Sequence, residues 1–270
     1  MKFLSCRCFL STQLKKICAS ILVLIILIIP GNQSLDAGDS ITVFLFNPDG
    51  KPALASKVKS SLESHLKDKG IDARVMIFRK SVDFENSLQH YKPHYAIASF
   101  YYYKAKYGEY RWNILLSGYN NNSGGYNKIL LTLNSIKSPI DLVNKGISTI
   151  SLGSATSNFV SDQLQNLGLT AGNVRIIPVT QNMDAIMALA LNQVAGAIVS
   201  QDSYGLLKNI NPELINQIKI FSQLPTIPHP LVVSFGNAKN NDSFIAAMKN
   251  LDENVRGKVV FEYFGLTKFR

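Results

Sequence analysis

Beyond residue 18 the chain has no cysteine: all three, Cys6, Cys8 and Cys18, fall near its start. The rest of the chain has no thiol nucleophile and no disulfide staple, so its fold must hold by burial alone. Histidine is scarce as well. His65, His90, His94 and His229 lie far apart, with none of the i, i+4 spacing of a zinc helix, and His65 falls beside an apolar stripe where a structural role is expected. There is no Gly-x-Ser-x-Gly elbow, and Asn120–Gly125 lacks the lysine and following helix of a nucleotide loop. No nucleophile–base pair stands out, so an enzyme is not expected, and no cofactor or metal is implied. The formal net charge is +10, yet no block of five or more basic residues occurs. A nucleic-acid or membrane patch would cluster its charge.

The start of the chain reads as a leader. Lys15 and Lys16 precede the apolar run Ile17–Ile29, thirteen residues closed by Pro30 and Gly31. That run is short of the roughly 20 residues that span a bilayer. A basic segment, a short apolar segment and a small-residue site at Leu35-Asp36-Ala37 describe a secretory signal peptide over residues 1–37. Cys18 opens the apolar run rather than following it, so no lipoprotein anchor is expected. Removing four basic residues and one acidic one leaves 24 Lys and Arg against 17 Asp and Glu. A mild positive field of this kind helps gather an anionic solute.

Downstream, short β-branched and aromatic runs alternate with amphipathic ones. Ile41–Phe46 reads as a strand ended by the turn signal Asn47-Pro48-Asp49-Gly50. Leu54, Val58, Leu62 and Leu66 recur at four-residue spacing in a helix stopped by Gly70. The same alternation runs to a final helix expected over 242–263. Two texture breaks interrupt it: the Asn/Ser/Gly stretch 118–126 and the three-proline stretch 224–230. Alternating strands and helices imply an α/β fold with mostly parallel sheets covered on both faces. The two breaks divide it into two lobes: residues 38–124 with 225–270, and residues 125–224. Ligands in such sheets sit beyond the carboxyl ends of strands.

Several residues fall at such positions. In LGSATSN (152–158), Ser154, Thr156 and Ser157 follow a strand and open a helix, whose first N–H groups and partial positive charge favour an anion. Plain N-capping needs only one such hydroxyl, and both readings stay open on spacing alone. Ser99 and Tyr101–Tyr103 follow the third strand, where hydroxyls and aromatic faces can line a cleft. Tyr126 leaves the Asn/Gly loop in a similar position.

The order of elements and these motifs resemble the phosphate/phosphonate-binding family of periplasmic solute-binding proteins, which serve ABC transporters and have the type 2 periplasmic binding fold. Asp141-Leu142-Val143-Asn144-Lys145-Gly146, a strand, and then Ala155-Thr156-Ser157-Asn158 is similar to that family's Asp-Leu-x-Gly-Lys segment leading to Ser-Thr-Ser-Gly. Asn182-Met183-Asp184-Ala185, followed by Ala190, Val194 and Ala197, is similar to its helix-then-strand segment. The chain departs from the pattern at Ala155, Asn158, Gly196 and His94. The missing acidic residues disfavour an aminoalkylphosphonate. The resemblance implies a periplasmic or secreted, monomeric, non-enzymatic protein that captures a small anionic solute between its lobes for a permease. A sensing module coupled to a kinase or cyclase partner is the alternative. Ser154, Thr156, Ser157, Asn158, Ser99, Tyr102 and Tyr126 are the implied ligand-binding residues.

Overall fold

The computed structural model describes residues 40–121 and 123–270; the expected leader lies outside the described residues. Strand β1 (Ile41–Phe46) leads through the turn at Asn47–Gly50 and a 3₁₀ turn at Pro52–Leu54 into α1 (Ala55–Asp68). Gly70, at φ +77°, ends that helix in the left-handed region open to glycine. There follow β2 (Ala73–Phe78), α2 (Ser81–Tyr91), β3 (Tyr95–Ala98), α3 (Phe100–Tyr110) and β4 (Asn113–Tyr119). A two-residue strand β5 (Gly125–Tyr126) carries the chain into β6 (Lys128–Leu133), β7 (Gly146–Ile150), α4 (Thr156–Leu164) and β8 (Arg175–Val179). Next come α5 (Asn182–Ala190), β9 (Gly196–Ser200), α6 (Gln201–Ile210), the short α7 (Pro212–Ile215) and β10 (Ile218–Gln223). The return crossing β11 (Ile227–Pro228) leads to β12 (Leu231–Ser234), α8 (Asn241–Lys249), α9 (Val255–Phe264) and β13 (Lys268–Phe269).

The strands form a six-stranded sheet, β13-β4-β12-β3-β1-β2, and a five-stranded sheet, β10-β6-β9-β7-β8. The crossings β5 and β11 pair with each other, Ile227 opposite Tyr126. Both sheets are mixed. β1 runs parallel to β2 and β3, and β7 parallel to β8 and β9, as crossover helices require. β12, however, runs antiparallel between β3 and β4, and β6 antiparallel to β9 and β10. Strand–helix alternation fixes direction only within a crossover unit. β6 and β12 each enter directly from a crossing, with no helix to turn them.

Each sheet has an apolar layer on both faces, and β1 shows how. Val43 and Leu45 pack under α1, α8 and α9 with Val58, Leu62, Phe244 and Met248. Their neighbours Phe44 and Phe46 point to the opposite face, into an aromatic cluster with Phe78, Phe84, Tyr102 and Trp112. The second sheet repeats the pattern. Leu130, Ile147 and Ile198 face α4, whereas Ile129, Leu131, Ala197 and Val199 face α5 and α6.

The expected single helix over 242–263 is two helices. A 3₁₀ turn at Asn250–Glu253 separates α8 from α9, and Asn254, extended at φ −136°, caps α9 by accepting from the Gly257 N–H at 2.9 Å. That bond fixes the Asn254 amide, whose nitrogen then donates to His65 Nδ1 at 2.8 Å. His65 Nε2 is left to donate to the Ala247 carbonyl at 2.8 Å, so this histidine is structural. Gly257 permits the break: a Cβ there would lie 1.5 Å from the Leu251 carbonyl oxygen. Gly257→Ala is therefore expected to lower stability in urea unfolding by about 3 kcal/mol, the upper end for forced overpacking. Gly205, inside α6, gives the contrast, because a Cβ there would have nothing within 4 Å. Gly205→Ala should raise stability by roughly 0.5–1 kcal/mol through helix propensity.

Candidate functional site

A pocket of about 460 Å³, open solvent at its mouth included, lies where the two sheets face each other. The first sheet supplies Phe46 and the following Asn47, Pro48 and Asp49 from the carboxyl end of β1, with Ser99 and Tyr101 from the end of β3. The second supplies Lys128 from β6, Thr149 and Ile150 from β7, and Leu152 and Phe159 around the start of α4. The crossings add Tyr126, Ile227 and Pro230. The location follows from topology, since chain leaving β1, β3 and β7 opens toward the same gap.

Most of this lining is apolar or aromatic, and one cation sits in it. Lys128, the first residue of an otherwise apolar strand, has its side chain only 4% exposed. Its ammonium donates to Asp49 Oδ1 at 2.9 Å and to Asn182 Oδ1 at 3.3 Å. The Asn182 amide nitrogen donates in turn to Asp49 Oδ1 at 2.7 Å and to Ser200 Oγ at 3.3 Å. The ion pair thus joins the β1 loop of one sheet to β6 and α5 of the other. Beside it, burial and the nearby Asp49 carboxylate push the Tyr126 phenol well above its ordinary range, so its hydroxyl stays protonated. The Tyr101 ring meets Phe159 edge-on at 5.2 Å, closing the pocket from the α3 side.

Of the residues expected from the sequence, Ser99 and Tyr126 line this pocket. Ser99 also caps α3, accepting from the Tyr102 N–H at 3.3 Å. Tyr102 is fully buried in the aromatic cluster, 5.3 Å from Phe46 and 5.2 Å from Phe84, and donates to Glu85 Oε1 at 3.2 Å. Its neighbour Tyr101 reaches the pocket instead, because consecutive helical residues point about 100° apart. Ser154, Thr156, Ser157 and Asn158 do not line the pocket. Thr156 Oγ1 donates to the Gly153 carbonyl at 2.7 Å and accepts from the Leu152 N–H at 2.9 Å, while Ser154, Ser157 and Asn158 are exposed. This helix start packs on α2 of the first sheet. Ser151 and Ser81 hydroxyls are 3.2 Å apart, and a Cβ on Gly153, at φ +60°, would lie 2.6 Å from Glu85 Oε1.

Sequence reasoning missed Lys128, Asp49 and Asn182. The available signal was a lone charge opening an apolar strand immediately after a crossing. Among the described residues, no group of three or more His, Cys, Asp or Glu side chains is placed to hold a metal ion. No described helix is long and apolar enough to cross a membrane.

At the crossings, the His229 ring stacks on Tyr126 at 5.6 Å, is buried, and has no hydrogen-bond partner for either nitrogen among the described residues. Burial lowers its pKa below the ordinary 6.5. In the window below that value the unfolded chain binds a proton that the folded chain refuses, so stability falls as the pH drops. Urea midpoints taken between about pH 7.5 and 5.5 should fall in the native protein. His229→Phe, which keeps the stack and removes the titrating group, should flatten that dependence.

No protein-family model matches this sequence, and no curated protein matches it. Solved structures do match its fold. A binding-protein component of an ABC phosphonate transporter from Pseudomonas aeruginosa aligns with a TM-score of 0.66 at 15% identity, over 86% of this chain and 80% of that one. PhnD1 from Prochlorococcus marinus, in complex with methylphosphonate, aligns with a TM-score of 0.65 at 12% identity, over 86% and 92%. The periplasmic aliphatic sulphonate binding protein SsuA from Escherichia coli gives 0.53 at 12% identity, over 84% and 79%. With its two mixed sheets flanked by helices and joined by paired crossings, the chain has the fold of the type 2 periplasmic binding proteins.

Proposed function

We propose that this protein is a non-enzymatic periplasmic solute-binding protein that captures a small anionic solute between its two lobes and delivers it to an ABC transporter permease. The division into residues 38–124 with 225–270, and residues 125–224, is supported by the strand content of the sheets. Strands between 41 and 119 and between 231 and 269 build the first sheet, and strands between 128 and 223 build the second. The fold neighbours bind phosphonates and sulphonates, which supports an oxyanion as the recognised group.

The observation that carries the reading is Lys128. It is a buried cation among aromatic walls, in a pocket to which both sheets contribute. An oxyanion there gains a charge-assisted hydrogen bond from Lys128, with the protonated Tyr126 phenol and the Ser99 hydroxyl as neutral donors. In this reading Tyr101 replaces Tyr102 as the α3 contact. Ser154, Thr156, Ser157 and Asn158 act as the cap and surface of α4.

Calorimetry with methylphosphonate and methanesulfonate tests the assignment. Lys128→Met is expected to weaken binding by roughly 10- to 100-fold, the range of a charge-assisted hydrogen bond. A Ser154→Ala, Ser157→Ala double variant should bind within about twofold of the native protein, since exposed hydroxyls outside the pocket contribute little. The reverse pattern would move the anion to the start of α4.

A further inference from the structure

Lys128 does not face the pocket alone. Of the described side chains lining the pocket, Lys128 is the one cation and Asp49 the one anion, and they are in contact at 2.9 Å. Asp49 comes from the opposite sheet and is steadied by the Asn182 amide on the same oxygen at 2.7 Å. It is 28% exposed where Lys128 is 4% exposed, so the carboxylate lies on the more open side of the pair. The formal charge of the lining is therefore zero, and any solute that approaches the ammonium also approaches the carboxylate.

That arrangement discriminates by charge. Attraction to a fixed potential grows in proportion to the charge of the solute, whereas the cost of removing its hydration grows with the square of that charge. A pocket with several cations recovers the larger cost of a dianion. A single cation partly cancelled by Asp49, among the walls of Phe46, Tyr101, Tyr126 and Phe159, does not.

We propose that Asp49 sets the charge class of the solute: by screening Lys128 it admits an organic monoanion, one singly charged oxyanion group on a small apolar body, and turns away inorganic dianions. This rests on Lys128 being the anion-binding residue. It adds a selectivity role for a residue that binds no part of the solute through attraction. Because the potential multiplies the charge, neutralising Asp49 must help a dianion by the square of the factor by which it helps a monoanion.

Methanesulfonate and sulfate make a matched pair for the test. Both are tetrahedral oxyanions, fully ionised at neutral pH, and they differ by one charge. The native protein is expected to prefer methanesulfonate by at least about tenfold in calorimetry. Asp49→Asn should raise affinity for both and for sulfate more, shrinking the preference by about tenfold, while Asp49→Glu keeps it. Asp49→Ser is a second neutral variant should the amide disturb the β1 turn, with near-ultraviolet circular dichroism confirming the fold of each. Sulfate binding as well as methanesulfonate to the native protein, or a preference unchanged in both neutral variants, overturns the proposal and leaves the solute-binding reading intact. Failure of both anions to bind the native protein overturns that reading and the proposal with it.

Discussion

A lysine ammonium withdrawn from water needs a carboxylate beside it, and Lys128 finds one only across the gap between the sheets. The helix on its own sheet supplies the side-chain Oδ1 of Asn182; the other sheet supplies Asp49. Satisfying this one group fixes how the β1 turn sits against β6 and the start of α5. The turn is held from behind as well. The Asn47 amide donates to the Tyr263 carbonyl, and Gly50 lies so close to the Tyr263 ring that a Cβ would come within 2.4 Å of it. Position of the charge, shape of the turn and placement of the last helix are therefore linked.

The surrounding contacts between the sheets are of a different kind. Tyr101 from α3 packs into the core of the second sheet against Phe159, and its hydroxyl accepts from Gln163 at 3.4 Å. Lys104 and Asp162 pair at 3.8 Å on the exposed rim, where such a bridge contributes little. Aromatic area holds this side together and walls the pocket. A drier pocket strengthens each polar contact in it, so the apolar wall and the ion pair act on the solute jointly.

Much of the fold was legible because burial writes itself into periodicity. The unbroken apolar run of β1 and the four-residue stripe of α1 are direct traces of two-sided and one-sided burial, and both are found in the core. Direction was less legible. β12 inserts antiparallel between β3 and β4, a consequence of a crossing more than 100 residues after β4 begins and invisible to local pattern. The same distance hid the site. Asp49 reads as a turn residue and Lys128 as a strand-end charge, and only the tertiary fold brings them together, 79 positions apart. At Tyr101 and Tyr102 the residue type was readable, while the helical phase that separates pocket from core was not. Around Thr156 the same hydroxyl serves a cap or a ligand equally well, and composition cannot separate the two.

If the ion pair holds the two sheets in place, Asp49 and Lys128 are energetically coupled rather than merely adjacent. A double-mutant cycle on urea unfolding, with Asp49→Asn, Lys128→Met and the double variant, measures that coupling directly. Removing either partner leaves the other charge uncompensated, so each single variant should be destabilised and the double variant less than the sum of the two. The predicted coupling is about 1–3 kcal/mol. Effects that add to within about 0.5 kcal/mol would show that the pair does not bind the sheets together, and would contradict the account.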